Sequence, residues 1–113
     1  MPTVYVVNKS GHDFSSAEKF GDLKYLSVGT INPYQVLKIY RQFAEGLKDS
    51  TPDDYLLITG LPIMTAVATA IMSRKHGVVN FLIYHAGTNT YKNRRIIIDT
   101  LLTDDSPEED ANA

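Results

Sequence analysis

The chain has no cysteine in its 113 residues, which excludes disulfides, zinc–thiolate centres and thiol nucleophiles. That absence fits a reducing compartment, and the expected location is cytoplasmic. The short sequence fingerprints of nucleotide and ester chemistry are missing too. There is no GxGxxG, no GxxxxGK[ST] and no GxSxG, so dinucleotide, P-loop and nucleophile-elbow readings have no motif to stand on. His12, His76 and His85 are scattered without a carboxylate spacing; no metal and no cofactor is expected. The opening run MPTVYVVNK lacks the basic region and apolar core of a signal peptide. Charge is absent from Tyr55 to Ser73, a window about long enough to span a bilayer. A Gly-Leu-Pro interruption and the hydroxyls of Thr59, Thr65, Thr69 and Ser73 argue against that, so no membrane association is expected.

What is present belongs to one globular domain. Hydrophobic residues make up 43% and charged residues 21%, ordinary values for a folded chain. The net charge of −2 conceals an uneven distribution. Asp104, Asp105, Glu108, Glu109 and Asp110 crowd into residues 103–113 with no base among them, so the remainder is mildly basic. That tail has no apolar side chain beyond alanine and is expected to be disordered and dispensable for stability. The folded domain is expected over 1–102.

The central stretch is YLLITGLPIMTAVATAIMSRKHG, Tyr55 to Gly77. A short apolar run ends at Thr59-Gly60, Pro62 falls where the first turn of a helix has no use for an N–H, and Gly77 stands at a left-handed cap position. This is a strand, a tight turn and a helix over Pro62–His76. On that helix Ile63, Met64, Val67, Ile71 and Met72 form a large apolar face. Thr65, Ala66, Thr69, Ala70 and Ser73 form a small one, expected to meet another helix or a second copy of the chain.

Elsewhere, Thr3–Val7 and Leu23–Val28 read as strands, with one or two helical turns over Phe14–Phe20 capped by Asp13 or Ser15. Asn32-Pro33 reads as a helix start. From there to Lys48, Val36, Leu37, Tyr40, Phe43, Ala44 and Leu47 form an apolar stripe expected to face a sheet. Val78–Tyr84 and Tyr91–Thr100 read as a hairpin, with Arg94-Arg95 guarding an edge strand. Alternating strands and helices predict an α/β fold: a mostly parallel sheet of about five strands, helices on its faces, and a C-terminal antiparallel hairpin at the edge.

Open parallel sheets bind ligands outside the carboxyl ends of their strands. Three loops reach that position: Asn8–Asp13, Ser27–Asn32 and Thr59–Leu61. Each has a glycine and a hydroxyl, and two lead into helix N-termini, whose N–H groups favour an anion. The candidate ligand-binding residues are therefore Lys9, Ser10, His12, Ser27, Gly29, Thr30, Thr59 and Gly60, expected around a common depression. No catalytic residue is assigned. The basic run Tyr91–Arg95 sits in a chain of acidic pI, and a nucleic-acid partner is not expected.

The strand, the Thr59-Gly60 turn, the small-residue helix Pro62–His76 and the strand Val78–Tyr84 together resemble Rossmann-like ligand-sensing domains. The CRISPR-associated domains that bind cyclic oligonucleotides are one such group. The opening VYVVNKSGHDFS also resembles small uncharacterised bacteriophage proteins. Either resemblance implies a nucleotide-binding or sequestering dimer within a single Rossmann-like three-layer domain. The leading expectation is a non-catalytic binding module for an anionic small molecule, a nucleotide among the candidates, acting as a homodimer through helix 62–76. A small hydrolase or lyase using His12 and Lys9 is one alternative, and a structural or protein-interaction domain is another.

Overall fold

A computed structural model describes residues 1–98. The tail expected over 103–113, and the last residues of the expected 1–102 domain, lie outside the described residues. In chain order the elements are β1 (Thr3–Val6), a 3-10 helix (Ser15–Phe20), β2 (Asp22–Tyr25), α1 (Val36–Gly46), β3 (Tyr55–Leu57), α2 (Pro62–His76), β4 (Val78–His85) and β5 (Thr90–Ile97). They build one five-stranded sheet in the order β2-β1-β3-β4-β5. The first four strands are parallel, and β5 returns antiparallel to β4 at the edge. The molecule is thus a mixed α/β fold with a mostly parallel sheet and a terminal hairpin, as the alternation of elements predicts.

Alternation along the strands divides the core into two. Tyr5 of β1 and Val7 just beyond it, with Leu56 and Val79, join Phe43 of α1, Leu47 at its C-cap, and Met64, Ala68 and Met72 of α2. Their neighbours Val4, Val6, Leu57 and Leu82 point the other way, onto Phe14 and Ala17 of the 3-10 segment and Tyr91 of β5. The two sides follow from the strand order. The chain steps from β1 outward to β2, then back across β1 to β3. Parallel crossovers are almost always right-handed, so reversing the direction of travel moves the connection to the opposite face. The 3-10 helix accordingly covers one face and the two α-helices the other.

Helix α2 has the limits that its sequence predicts, with Pro62 in the first turn and Gly77 closing it at φ 68°. Lys75 Nζ donates to the carbonyls of Leu47 and Lys48 at 2.7 and 2.9 Å, tying the last turn of α2 to the end of α1. The small side chains Ala66 and Ala70 are exposed within this single copy.

Helix α1 departs from expectation twice. It starts at Val36, because the Asn32 side chain caps a turn instead: its Oδ1 accepts the Tyr34 N–H at 3.0 Å. Such local Asx turns compete with helix nucleation. The buried stripe is Ile39, Phe43 and Leu47, whereas Val36, Leu37 and Tyr40 stand exposed. Gln42 Nε2, donating to the Leu26 carbonyl at 3.0 Å, ties α1 to the chain just after β2. Among the described residues no helix is long and apolar enough to cross a membrane.

Candidate functional site

All three strand-end loops emerge at the same end of the sheet, since β1, β2 and β3 run parallel. The backbone of β1 and β3 separates them into two depressions. On the helical side, Gly29 and Thr30 meet Gly60, Asn8 and Met64 around a space of about 350 Å³ with mainly apolar walls. On the 3-10 side, His12, Asp13 and Phe14 meet Ile58 and Thr59 across a cleft of about 330 Å³. Tyr84, Asn89 and Tyr91 of the hairpin form its far wall.

The residues picked out in the sequence take different places. His12 and Thr59 line the cleft; Gly29, Thr30 and Gly60 line the apolar depression. Ser27 lies beneath both loops, only 2% exposed, its hydroxyl donating to the Val7 carbonyl at 2.7 Å and lying 2.8 Å from Asn8 Oδ1. It is a structural tie between the ends of β1 and β2. Asn8 completes that tie through Nδ2 to the Gly29 carbonyl at 3.2 Å. Lys9 places its Nζ 5.0 Å from the centre of the Tyr25 ring, and Ser10 is exposed and lines neither space.

The cleft is a cluster of rings. Phe14 meets His12 edge-on at 6.2 Å between centroids and Tyr25 at 6.3 Å. Tyr84 and Tyr91 are cross-strand partners with centroids 5.5 Å apart, and the Tyr84 hydroxyl donates to Asn89 Oδ1 at 2.7 Å. Asn89 is the one non-glycine residue with positive φ, 51°, among those described. Asparagine tolerates that conformation better than most residues. Among the ionisable groups, Asp13 is held below the usual carboxylate range because the Ser15 N–H donates to its Oδ1 at 2.9 Å. Burial, with the nearby charges of Tyr84 and Asp13, pushes the Tyr91 phenol up. Near neutral pH the cleft therefore holds the Asp13 carboxylate and the neutral Tyr91 phenol.

The match to the family model of the phage Pam3 gp32-like protein covers residues 2–98. The chain belongs to that family. The match agrees with the bacteriophage character of the opening VYVVNKSGHDFS; the likeness to CRISPR-associated sensing domains finds no support. No curated protein and no solved structure matches the chain.

The candidate residues omitted Asp13, Phe14, Ile58, Tyr84, Asn89 and Tyr91 of the cleft. The hairpin pair had one readable signal: Tyr84 and Tyr91 stand symmetrically about the Ala86–Asn89 turn, so antiparallel pairing sets them opposite each other. Their approach to Phe14 depends on a contact between the hairpin and the 3-10 segment, which no local pattern encodes. Of the pair named for a hydrolase or lyase, His12 makes a ring contact with Phe14, and Lys9 lies over the Tyr25 ring. No group of histidines and carboxylates suited to a metal occurs among the described residues.

Proposed function

We propose that this member of the phage family is a non-catalytic, Rossmann-like binding module that holds a small anionic molecule, with nucleotides as the leading candidates. The observation that carries this reading is the ring-walled cleft at the carboxyl ends of β1 and β3. In a sheet of this strand order the chain leaves β1 and β3 toward opposite faces. Such a reversal point is where open α/β sheets receive ligands. Its volume of about 330 Å³ falls at the small end of the range for small-molecule sites. Lys9, beside Tyr25, supplies a cation next to the Phe14 end of the cleft. Titrating the isotope-labelled chain with ribose 5-phosphate and with guanosine monophosphate, followed by amide NMR shifts, tests the reading. Shifts concentrated at His12–Phe14 and Ile58–Gly60 support it. Shifts spread evenly, or none, favour a structural or protein-interaction domain.

A homodimer is the second part of the proposal. Ala66 and Ala70 on α2 are exposed, and Val36, Leu37 and Tyr40 on α1 are exposed apolar side chains on the same helical layer. A second copy would cover both. The expected wild-type state by light scattering is a dimer, and Ala70→Glu, which adds a charge at an exposed position, yields a folded monomer. A monomeric wild type at high concentration overturns this part alone.

A further inference from the structure

Resting on that binding reading, the geometry of the cleft points to a narrower class of occupant: we infer a planar base that presents N–H donors on its edge, with guanine the best match. Four of the cleft's side chains are rings, and they differ in burial. Phe14 and Tyr91 are pinned in the core at 5% and 7% exposure and form a fixed floor. His12 and Tyr84 rise from that floor into solvent. Tyr84 is nonetheless held in place, from one side by the Tyr91 ring and from the other by its hydroxyl bond to Asn89. An exposed ring already immobilised loses little entropy when a second ring stacks on it. Stacking on such rings suits a heteroaromatic plane and carries little preference among bases.

The preference comes from Asp13. It lines the cleft as an exposed carboxylate, and the Ser15 N–H, donating to Oδ1 at 2.9 Å, fixes its orientation. An ionised carboxylate only accepts, so the ligand edge beside it must donate. Guanine sets its N1–H and one N2–H side by side, at the spacing of two carboxylate oxygens, and such charge-assisted pairs are among the stronger ones. A base that offers carbonyls there is repelled. The Tyr84 bond occupies Asn89 Oδ1 and leaves the Nδ2 hydrogens for an acceptor elsewhere on the ring. A phosphate is excluded from the Asp13 side, and Lys9, across the Phe14–Tyr25 pair, is the cation it would approach.

Calorimetry on the full chain with guanosine monophosphate, inosine monophosphate and ribose 5-phosphate tests this. The first two differ only in the 2-amino group, and the third lacks a base. Guanosine monophosphate is expected to bind about tenfold more tightly than the inosine compound, the discrimination of one good edge contact. Both are expected to exceed ribose 5-phosphate. Asp13→Asn, which keeps an oxygen for the Ser15 N–H and so keeps the turn, removes the gap between the two bases. Tyr84→Ala weakens both bases together. Equal binding of the two bases by the wild type overturns the role of Asp13. Ribose 5-phosphate binding as tightly as either base overturns the base inference while the binding module stands. No binding by any of the three overturns both.

Discussion

The two faces of the sheet are covered in contrasting ways. One lies under α1 and α2, with 11 and 15 residues, and Phe43, Leu47, Met64 and Met72 are sealed between helix and strand. The other lies under a 3-10 helix of 6 residues, too short to span the sheet at about 2 Å rise per residue. The sheet completes that side with its own rings, Tyr84 and Tyr91, and the space left between them and Phe14 is the cleft. A long amphipathic cover closes a face. A short one leaves a site, and the same connection that is too short to close it also delivers His12 and Asp13 to its rim.

The contrast can be broken by truncating one aromatic on each face. Phe43→Ala, at a side chain only 1% exposed, is expected to lower the unfolding free energy by about 3–5 kcal/mol. Phe14→Ala removes the same group beside an open cleft, where water reaches part of the vacated space, and about 2 kcal/mol is expected from the transfer term alone. Urea denaturation of both variants measures the difference; equal losses would mean that the two faces are packed alike.

The two loop glycines that flank the sheet end sharpen it next. Gly60 has φ 84°, and a Cβ there would lie 2.6 Å from Met64 Cε and 3.0 Å from Asn8 Cβ, on the closed side. Gly11 has φ 64° with nothing within 4 Å of an added Cβ, on the open side. Both alanine variants carry a left-handed backbone cost of about 1 kcal/mol. Gly60→Ala adds a steric cost, so its melting temperature is expected to fall further than that of Gly11→Ala. A smaller effect follows at Tyr84, 49% exposed: Tyr84→Ala is expected to change stability by less than about 1 kcal/mol while weakening base binding. A large loss of stability would make Tyr84 a core residue and remove it as a stacking surface.

The smallest effect is electrostatic and lies at the far end of the closed face. Burial, then the neighbouring Lys75 charge, holds the His76 imidazole below its ordinary range, against an opposing pull from Asp54. Its ring nitrogen pairs with the Ser50 hydroxyl at 2.9 Å. Because the folded state resists protonation, this contribution is fully present above the unfolded value of about 6.5. It is lost as pH falls through the lower folded value. Thermal melts between pH 7.5 and 5 are expected to show a slightly shallower decline in His76→Gln than in the wild type. Identical slopes would show that His76 does not contribute.

Some features were legible because their causes are local. Pro62 and Gly77 delimit α2 through backbone sterics that act within one turn, and the β4–β5 hairpin follows from two apolar runs about a short turn. Parallel strands had to bring the loops after β1, β2 and β3 to one end, and His12 and Thr59 could be named from that alone. What the tertiary structure decided is non-local. Which flank of α1 is buried depends on the strands beneath it and on α2 beside it, so Ile39 is enclosed while Val36, Leu37 and Tyr40 are not. The strand order β2-β1-β3 sends the connections after β1 and β3 to opposite faces. It therefore distributes the residues of three loops, each with a glycine and a hydroxyl, between an apolar depression and a ring-walled cleft. Turn chemistry in Asn8–Asp13, Ser27–Asn32 and Thr59–Leu61 carries no record of that division, because the side a crossover takes depends on the direction to the next strand.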